Sequence, residues 1–264
     1  MYYEGKVKAS SLFTTIVSKI TAIQPGETAA WWKKESSLEA DGVYTSTGST
    51  GSERIVAILR PGIVGHYITV GFARDYTPGA INTAGAFDVM EVTDMRYFSA
   101  VQASGDVEVT YHLNVTKDRI ILHLAGDKLI STWSNCVTYI GMPIRYDVTD
   151  KRCIVKAMSE NSLSTSACRL IQDSLNQTLQ DYPWSYTAAP DGPSWGNNYF
   201  LEPLHFGKSG EGLRGELDGL FRLHSAGVVD GNIINSNGSD YLVIKRQSNG
   251  NNSFPRTTLA LKMS

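Results

Sequence analysis

Near its end the chain reads Gly212-Leu-Arg-Gly-Glu-Leu-Asp-Gly-Leu-Phe-Arg-Leu-His224. Its leucines and phenylalanine supply buried surface, and its glycines permit turns and close backbone approaches that other residues resist. Two alternating segments follow, Tyr241-Leu-Val-Ile-Lys-Arg246 and Thr257-Thr-Leu-Ala-Leu-Lys-Met263. The turn sequence Asn235-Ser-Asn-Gly-Ser239 predicts a hairpin between residues 227–234 and the first of these segments. The last quarter of the chain is therefore predicted to be a glycine-punctuated β-ribbon.

Alternating apolar residues also predict antiparallel strands earlier in the chain. Residues 53–60 and 66–72 can form one hairpin. Residues 107–113 and 119–124 can form another, because the five residues between them are few enough for a tight turn. The segment Tyr139-Ile-Gly-Met-Pro-Ile-Arg-Tyr146 reads as a short strand that glycine and proline interrupt, and hence as an edge or a bend.

Two segments carry the apolar period of an amphipathic helix. In residues 8–23 the apolar positions lie three and four apart, and Gln24-Pro-Gly26 ends the pattern because proline cannot continue the backbone ladder. In residues 164–181 five apolar positions share one helical face, and Pro183 follows. The predicted fold class is α+β, predominantly antiparallel β in a sandwich or barrel-like arrangement, with two amphipathic helices.

The domain division follows from length and from one loop-like segment. A chain of 264 residues forms one large domain or two small ones. Residues 183–195 are rich in proline, glycine and tryptophan and are the best candidate boundary. We therefore predict a main β-rich domain at 1–182, with the helices near 8–23 and 164–181. The C-terminal β-ribbon at 183–264 is either a separate region or part of the same domain.

Charge and hydropathy exclude two classes of partner. The formal net charge is −2, and no run of lysine and arginine is long enough to neutralise a row of phosphates, so no nucleic acid is expected. Apolar runs fall far short of the ~20 residues that cross a bilayer, and the first residues do not resemble a secretory signal. We expect no membrane partner and synthesis in the cytoplasm.

The candidate phosphate-binding and metal-binding motifs each lack a residue that the chemistry requires. Gly207-Lys-Ser209 resembles the end of a phosphate-binding loop, but the position that requires glycine holds Glu202. His112 and His123 lie on paired strands, on the face opposite the apolar one, and should be neighbours across the ladder. A metal site there would need a third ligand. We therefore predict no enzyme and no catalytic, cofactor-binding or metal-binding residue.

The C-terminal phrases support a resemblance. The order Arg-Gly-Glu-Leu-Asp-Gly-Leu-Phe, then Asp-Tyr-Leu-Val-Ile, then Thr-Thr-Leu-Ala-Leu-Lys resembles the C-terminal ends of tailed-bacteriophage virion structural proteins. The phrases Asp75-Tyr-Thr-Pro-Gly79 and residues 139–146 are similar in style. The chain departs from the pattern at Ile244-Lys-Arg-Gln-Ser248, where an aromatic-rich segment would follow.

The resemblance implies a structural part of a phage particle, tail-associated as a terminator, connector or baseplate ring. Its partners would be copies of itself in a ring-like homo-oligomer and other virion proteins, and it would reside in the virion. We expect the ribbon to fit against other subunits, so that truncation after Ser239 prevents incorporation before it affects solubility. The candidate interface residues are Leu12, Ile16, Ile20, Trp31, Trp32, Tyr76, Phe221, Tyr241, Leu259 and Leu261.

Two alternatives remain open. A capsid decoration or head-completion protein would share the same β-rich character. A glycan-binding or glycan-cleaving adsorption protein would place tryptophan or tyrosine beside carboxylates in a groove, with Asp75 and Glu216 as candidates.

Overall fold

Antiparallel strands dominate the computed structural model of this chain. The structure describes residues 1–35, 42–61, 66–76, 87–96, 108–125, 136–147, 154–158, 168–172, 175–178, 199–208, 212–224, 228–245 and 258–264. These residues form three sheets, which we call the central sheet, the helix-side sheet and the C-terminal sheet. The β-rich fold class is therefore confirmed.

The elements are numbered in chain order and grouped here by sheet. The central sheet has the order β1 (Tyr2–Lys8), β7 (Glu108–Val115), β8 (Arg119–Ala125), β9 (Cys136–Gly141), β11 (Ile154–Met158), β12 (Cys168–Gln172), β13 (Leu175–Thr178). The helix-side sheet runs from β2 (Lys33–Lys34) through β3 (Val43–Ser46), β4 (Ile55–Pro61) and β5 (His66–Tyr76) to β6 (Phe87–Arg96). The C-terminal sheet contains β10 (Ile144–Arg145), β14 (Phe200–Lys208), β15 (Gly212–His224), β16 (Ile233–Ser236), β17 (Ser239–Lys245) and β18 (Thr258–Lys262).

One core lies between the central sheet and a layer made by the helix-side sheet and the helix α1 (Ala9–Ile20). The helix buries Leu12, Ile16 and Ile20 completely, because a spacing of four places them on one face. The central sheet contributes the alternate residues of β7 and β8, including Leu113 and Leu122. The predicted helix near 8–23 is confirmed, and it docks on the core of its own chain.

A second core lies on the opposite face of the central sheet. Ile121 and Tyr139 point from that sheet towards Phe206, Leu242 and other residues of the C-terminal sheet. Both faces of the central sheet are therefore covered, and its strands are apolar on both faces near the centre. His112 and His123 lie on this second face, so they point into the layer between the central and C-terminal sheets.

The turn between β7 and β8 holds the three sheets together. On one side the indole nitrogen of Trp32 donates to the carbonyl of Thr116 at 2.8 Å, and the Ser46 hydroxyl donates to the carbonyl of Lys117. On the other side Arg119, which begins β8, reaches the C-terminal sheet through Asp218 at 2.8 Å. Each of these hydrogen bonds gives a partner to a polar group that lies between packed layers.

The C-terminal hairpin was predicted correctly. β16 and β17 pair with Ser236 opposite Ser239, and the intervening Asn237 and Gly238 both have positive φ, as a tight turn requires. The hairpin of β7 and β8 is also confirmed, with His112 directly opposite His123. Residues 139–146 do bend: the chain leaves the central sheet after Gly141 and enters the C-terminal sheet at Ile144.

The second predicted helix is wrong. Within residues 164–181 the chain instead forms β12 and β13, which pair as a hairpin beside β11. The apolar spacing fits a helical face, but Leu170 and Ile171 lie opposite Val155 and Ile154 of a neighbouring strand. Pairing with β11 supplies backbone hydrogen bonds that the local pattern does not foresee, and tertiary context overrides the helical period. The turn-rich segment at 74–86 predicts an exposed loop, but residues 74–76 continue β5, so that part of the prediction is wrong. Residues 77–86 and 183–198 lie outside the described residues.

Burial changes the expectation for truncation after Ser239. Leu242, Ile244, Leu259 and Leu261 are all at most 4% exposed and belong to the core between the central and C-terminal sheets. Removing β17 and β18 would delete the middle of the C-terminal sheet. We now expect loss of the fold, and not only loss of assembly.

Candidate functional site

Exposed apolar side chains are concentrated on the C-terminal sheet. Eight large apolar residues are exposed in the described part of the chain, and six of them belong to this sheet or to the residues beside its strands: Ile144, Tyr146, Phe200, Leu213, Val229 and Ile233. The other two are Met1 and Ile23. Exposed apolar residues are a common feature of binding surfaces, and this sheet carries most of those in the described part of the chain, so it is the candidate site.

The exposed residues mark the two lateral edges of the sheet. Phe200 begins β14, which pairs only with β15 among the described strands, and its side chain is 68% exposed. Ile233 begins β16, the strand at the other edge, and is 59% exposed. We call the edge formed by β14, with Phe200, the β14 rim, and the edge formed by β16, with Ile233, the β16 rim. Edge strands are usually protected from other chains by charged residues, proline or a covering element. An exposed apolar residue on an edge strand therefore offers a contact to another chain.

The backbone of the β14 rim is less open than its side chains. Pro203 has no N–H to offer, and the pairing with β15 shifts register between Pro203 and His205. A long added strand would therefore be interrupted in the middle of β14. Contact through Phe200 and neighbouring side chains suits this edge better than continuous strand addition.

A polar cluster lies on the outer face of the same sheet. The Tyr146 hydroxyl donates to a carboxylate oxygen of Glu216 at 2.8 Å and lies 2.6 Å from Nδ1 of His205. Loss of hydration and the Glu216 carboxylate raise the pKa of Tyr146 to about 12, so the phenol stays protonated at neutral pH. The cluster can bind polar groups by hydrogen bonding, but its tyrosine is not poised as a nucleophile.

A second cluster of the same composition lies between the central and C-terminal sheets. The Tyr2 hydroxyl lies 2.6 Å from Nδ1 of His112 and donates to Glu4 at 3.2 Å. Burial raises the pKa of Tyr2 and lowers that of His112. The His112 ring stacks on His123 with centroids 5.5 Å apart, so the predicted histidine neighbours are confirmed.

Arg119 ties this layer to the candidate site. Its side chain is 3% exposed, and it donates to Asp218 at 2.8 Å and to the Asn114 amide oxygen at 2.9 Å. The Asn114 amide in turn donates to the carbonyl of Lys262 in β18 at 2.6 Å. Gly219 has a φ of +80°, and a Cβ there would lie 2.4 Å from the Arg119 guanidinium. Glycine at this position therefore lets the arginine reach across to β15.

Most of the predicted interface residues are buried inside the chain. Leu12, Ile16, Ile20 and Trp32 are in the helix-side core, against which the half-buried Trp31 packs, and Leu259 and Leu261 are in the core on the other face of the central sheet. Phe221 and Tyr241 contact each other edge to face at 5.5 Å, in a third apolar cluster on the outer face of the C-terminal sheet. Tyr76 ends β5, and its side chain lies outside the described residues.

The exposure of Phe200, Val229 and Ile233 was not predicted. Phe200 and Leu201 are adjacent, so β14 begins with apolar side chains on both faces. These two adjacent apolar residues indicate that one of them could be exposed, but they do not show which face of β14 another part of the chain covers.

Within the described residues no group of three or more histidine, cysteine or carboxylate side chains is placed to hold a metal ion. None of the described helical residues forms a span of the length and hydropathy needed to cross a membrane. Neither the family models nor the curated proteins give a match to this sequence.

Proposed function

We propose that this chain is a structural component of a bacteriophage virion, tail-associated, that assembles with copies of itself through the rims of its C-terminal sheet. The observation that supports the assembly role is that, among the described residues, six of the eight exposed large apolar side chains lie on or beside that sheet. The virion context rests on the resemblance of the C-terminal phrases to tailed-phage structural proteins.

The two rims offer the two halves of a head-to-tail contact. β14 and β16 lie at opposite edges of one sheet, and Phe200 and Ile233 are different residues in different surroundings. A contact between unlike edges is heterologous, and repeating it generates a closed ring if the rotation allows closure. Such a contact would give the ring-like homo-oligomer that the resemblance implies.

The free energy gained by burying Phe200 at a contact determines how much a substitution there should weaken association. Fully burying a phenylalanine side chain contributes ~1.5–3 kcal/mol, and Phe200 has about two thirds of its surface to bury at 68% exposed. Two thirds of that range is ~1–2 kcal/mol, and its loss at a contact weakens association about 5- to 30-fold. A single substitution should therefore be visible in an association curve.

The variant Phe200→Ser tests assembly, and Ile23→Ser is its matched control. Ile23 is 62% exposed but lies after α1, away from the C-terminal sheet. Light scattering over a concentration series should show oligomers for the parent chain and Ile23→Ser, with association about 5- to 30-fold weaker for Phe200→Ser. A parent chain that stays monomeric at micromolar concentration would contradict the assembly role.

The virion context needs a separate experiment. Mass spectrometry of purified particles should detect the chain, and electron microscopy of particles carrying a labelled copy should place the label on the tail. A label on the capsid would instead support the head-completion or decoration alternative. Absence of the chain from purified particles would refute a virion role altogether.

A second candidate function rests on the polar cluster. Tyr146 is 48% exposed beside Glu216 and His205, and an aromatic ring with hydrogen-bonding groups around it is a common way to bind a sugar. Glu216 was one of the two carboxylates considered from the sequence, while the Asp75 side chain lies outside the described residues. Binding to host cell-wall glycans that Tyr146→Ala abolishes, with the oligomer unchanged, would support this role.

A further inference from the structure

His112 and His123 form a pair whose position is unusual for two titratable side chains. They lie directly opposite each other on β7 and β8, with ring planes 17° apart and centroids 5.5 Å apart. His123 is 3% exposed, and the His112 side chain is 14% exposed. Both point into the layer between the central and C-terminal sheets, because they share the face of Ile121 and Tyr139.

Among the described residues, titratable and charged groups approach His112 from three elements. From β1, the Tyr2 hydroxyl and the Glu4 carboxylate approach Nδ1 of His112 to 2.6 Å and 3.7 Å. From β8 comes His123 itself. From the segment before β16, Asp230 acts on His112 electrostatically, and it also accepts a hydrogen bond from the backbone of Lys245 at 2.7 Å. The pair is therefore linked to the C-terminal sheet through Asp230.

Acid brings two positive charges into this layer. Histidine titrates near neutral pH, and two imidazolium rings in stacking contact repel each other where little water screens them. Burial lowers the pKa of His112, while the negative charges of Glu4 and Asp230 oppose that shift. Because the two rings are in contact, they are expected to titrate as a coupled pair.

We propose that the His112–His123 pair is an acid-sensitive switch at the contact between the central and C-terminal sheets. With both rings neutral the two sheets pack as described. Protonation of both rings places two like charges in contact at this face, and their repulsion loosens the packing of the C-terminal sheet on the central sheet, although Asp230 and Glu4 attract the charged His112 and oppose the change. The switch lies within one chain, so it does not depend on the proposed function.

The direction of the pH effect follows from the lowered pKa of His112. Above the pKa of an unfolded histidine, ~6.5, the folded state keeps its full stability. As the pH falls through that value, the unfolded chain takes up a proton that the folded chain resists, and stability falls. Each such proton raises the unfolding constant by up to ~10-fold per pH unit until the folded pair is also protonated.

The test compares urea unfolding at pH 7.5 and pH 5.5 for the full chain and for His112→Gln. The matched control is His205→Gln, since His205 makes the same contacts to Tyr146 and Glu216 on the outer face. We expect His112→Gln to reduce the pH dependence of the unfolding constant by about 10-fold over this range, and His205→Gln to leave it unchanged. Equal pH dependence in the parent and His112→Gln would overturn the switch.

Two measurements on the unsubstituted chain keep the proposal testable if His112→Gln does not fold. NMR titration of the imidazole resonances should show His112 and His123 shifting over the same pH range, with His112 below the ordinary value. Hydrogen exchange should show faster exchange of β16 and β17 amides at pH 5.5 than at pH 7.5, relative to β4 amides after correction for intrinsic rates. Independent titration of the two rings, or unchanged protection of β16 and β17, would refute it.

Discussion

Arg119 should contribute more to stability than the acid that it pairs with. Arg119→Met removes a charge-assisted hydrogen bond to Asp218, worth ~1.5–3 kcal/mol, and leaves the amide oxygen of the buried Asn114 without this donor, which costs ~1–3 kcal/mol. Methionine recovers part of this by filling the space with apolar atoms. We expect a net loss of about 3 kcal/mol in the free energy of unfolding.

Asp218→Asn is the matched comparison. The Asp218 side chain is 45% exposed, so water can rehydrate it when Arg119 is removed, whereas Arg119 is 3% exposed and keeps a buried charge when the carboxylate is removed. Asparagine keeps an oxygen that can accept from Nε, so we expect a loss of about 2 kcal/mol, smaller than that of Arg119→Met because Asn114 keeps its donor. Urea unfolding at pH 7.5, followed by tryptophan fluorescence, measures both values, provided that the denaturant slopes agree.

Gly219→Ala gives an independent check on the same contact. The new Cβ would lie 2.4 Å from the guanidinium, and the φ of +80° is strained for any residue with a side chain. In the Arg119→Met background the clash with nitrogen disappears but the backbone strain stays. The two substitutions should therefore be less than additive. Strict additivity, or a loss below 1 kcal/mol for Arg119→Met, would refute the claim that Arg119 links the two sheets.

The remaining predictions concern the other contacts between layers. Trp32→Phe removes the donor to the carbonyl of Thr116 and should cost about 1–3 kcal/mol in urea unfolding, while Trp31→Phe, at a half-buried position, should cost less. Truncation after Ser239 should give a chain without cooperative unfolding, and a soluble, cooperatively folded product would contradict the burial of β17 and β18. Gly141→Ala should destabilise strongly, because its Cβ would lie 2.2 Å from the carbonyl oxygen of Asp118, and a thermal midpoint within 2 °C of the parent would argue against this packing.

Much of the strand pattern follows from the sequence because its cause is local. In β7 and β8 the alternation of apolar residues fixes which side chains share a face, and the short connection fixes the register. This is why His112 and His123 could be predicted as neighbours. The helix α1 was predictable for the same reason, since a spacing of three and four residues can be satisfied within one segment.

The segment at 164–181 shows where local reasoning fails. Its apolar positions fit a helical face, but the same residues form a hairpin when β11 provides an edge to pair with. The candidate interface residues show the same limit, because most of them are buried within the chain. Leu259 and Leu261 alternate as an exposed-edge strand would, yet the central sheet covers them. Neither outcome is encoded within a window of a few residues.

By itself, the sequence determined the antiparallel character, the first helix, three hairpin pairings and the cross-strand histidines, because each depends on neighbouring residues or on one short connection. Only the tertiary structure decided that three sheets stack, that both faces of the central sheet are buried, and that Phe200 and Ile233 remain exposed at the rims. The physical reason is that burial depends on which layers meet. That choice is made by the summed packing of residues far apart in the chain, such as Arg119 with Asp218.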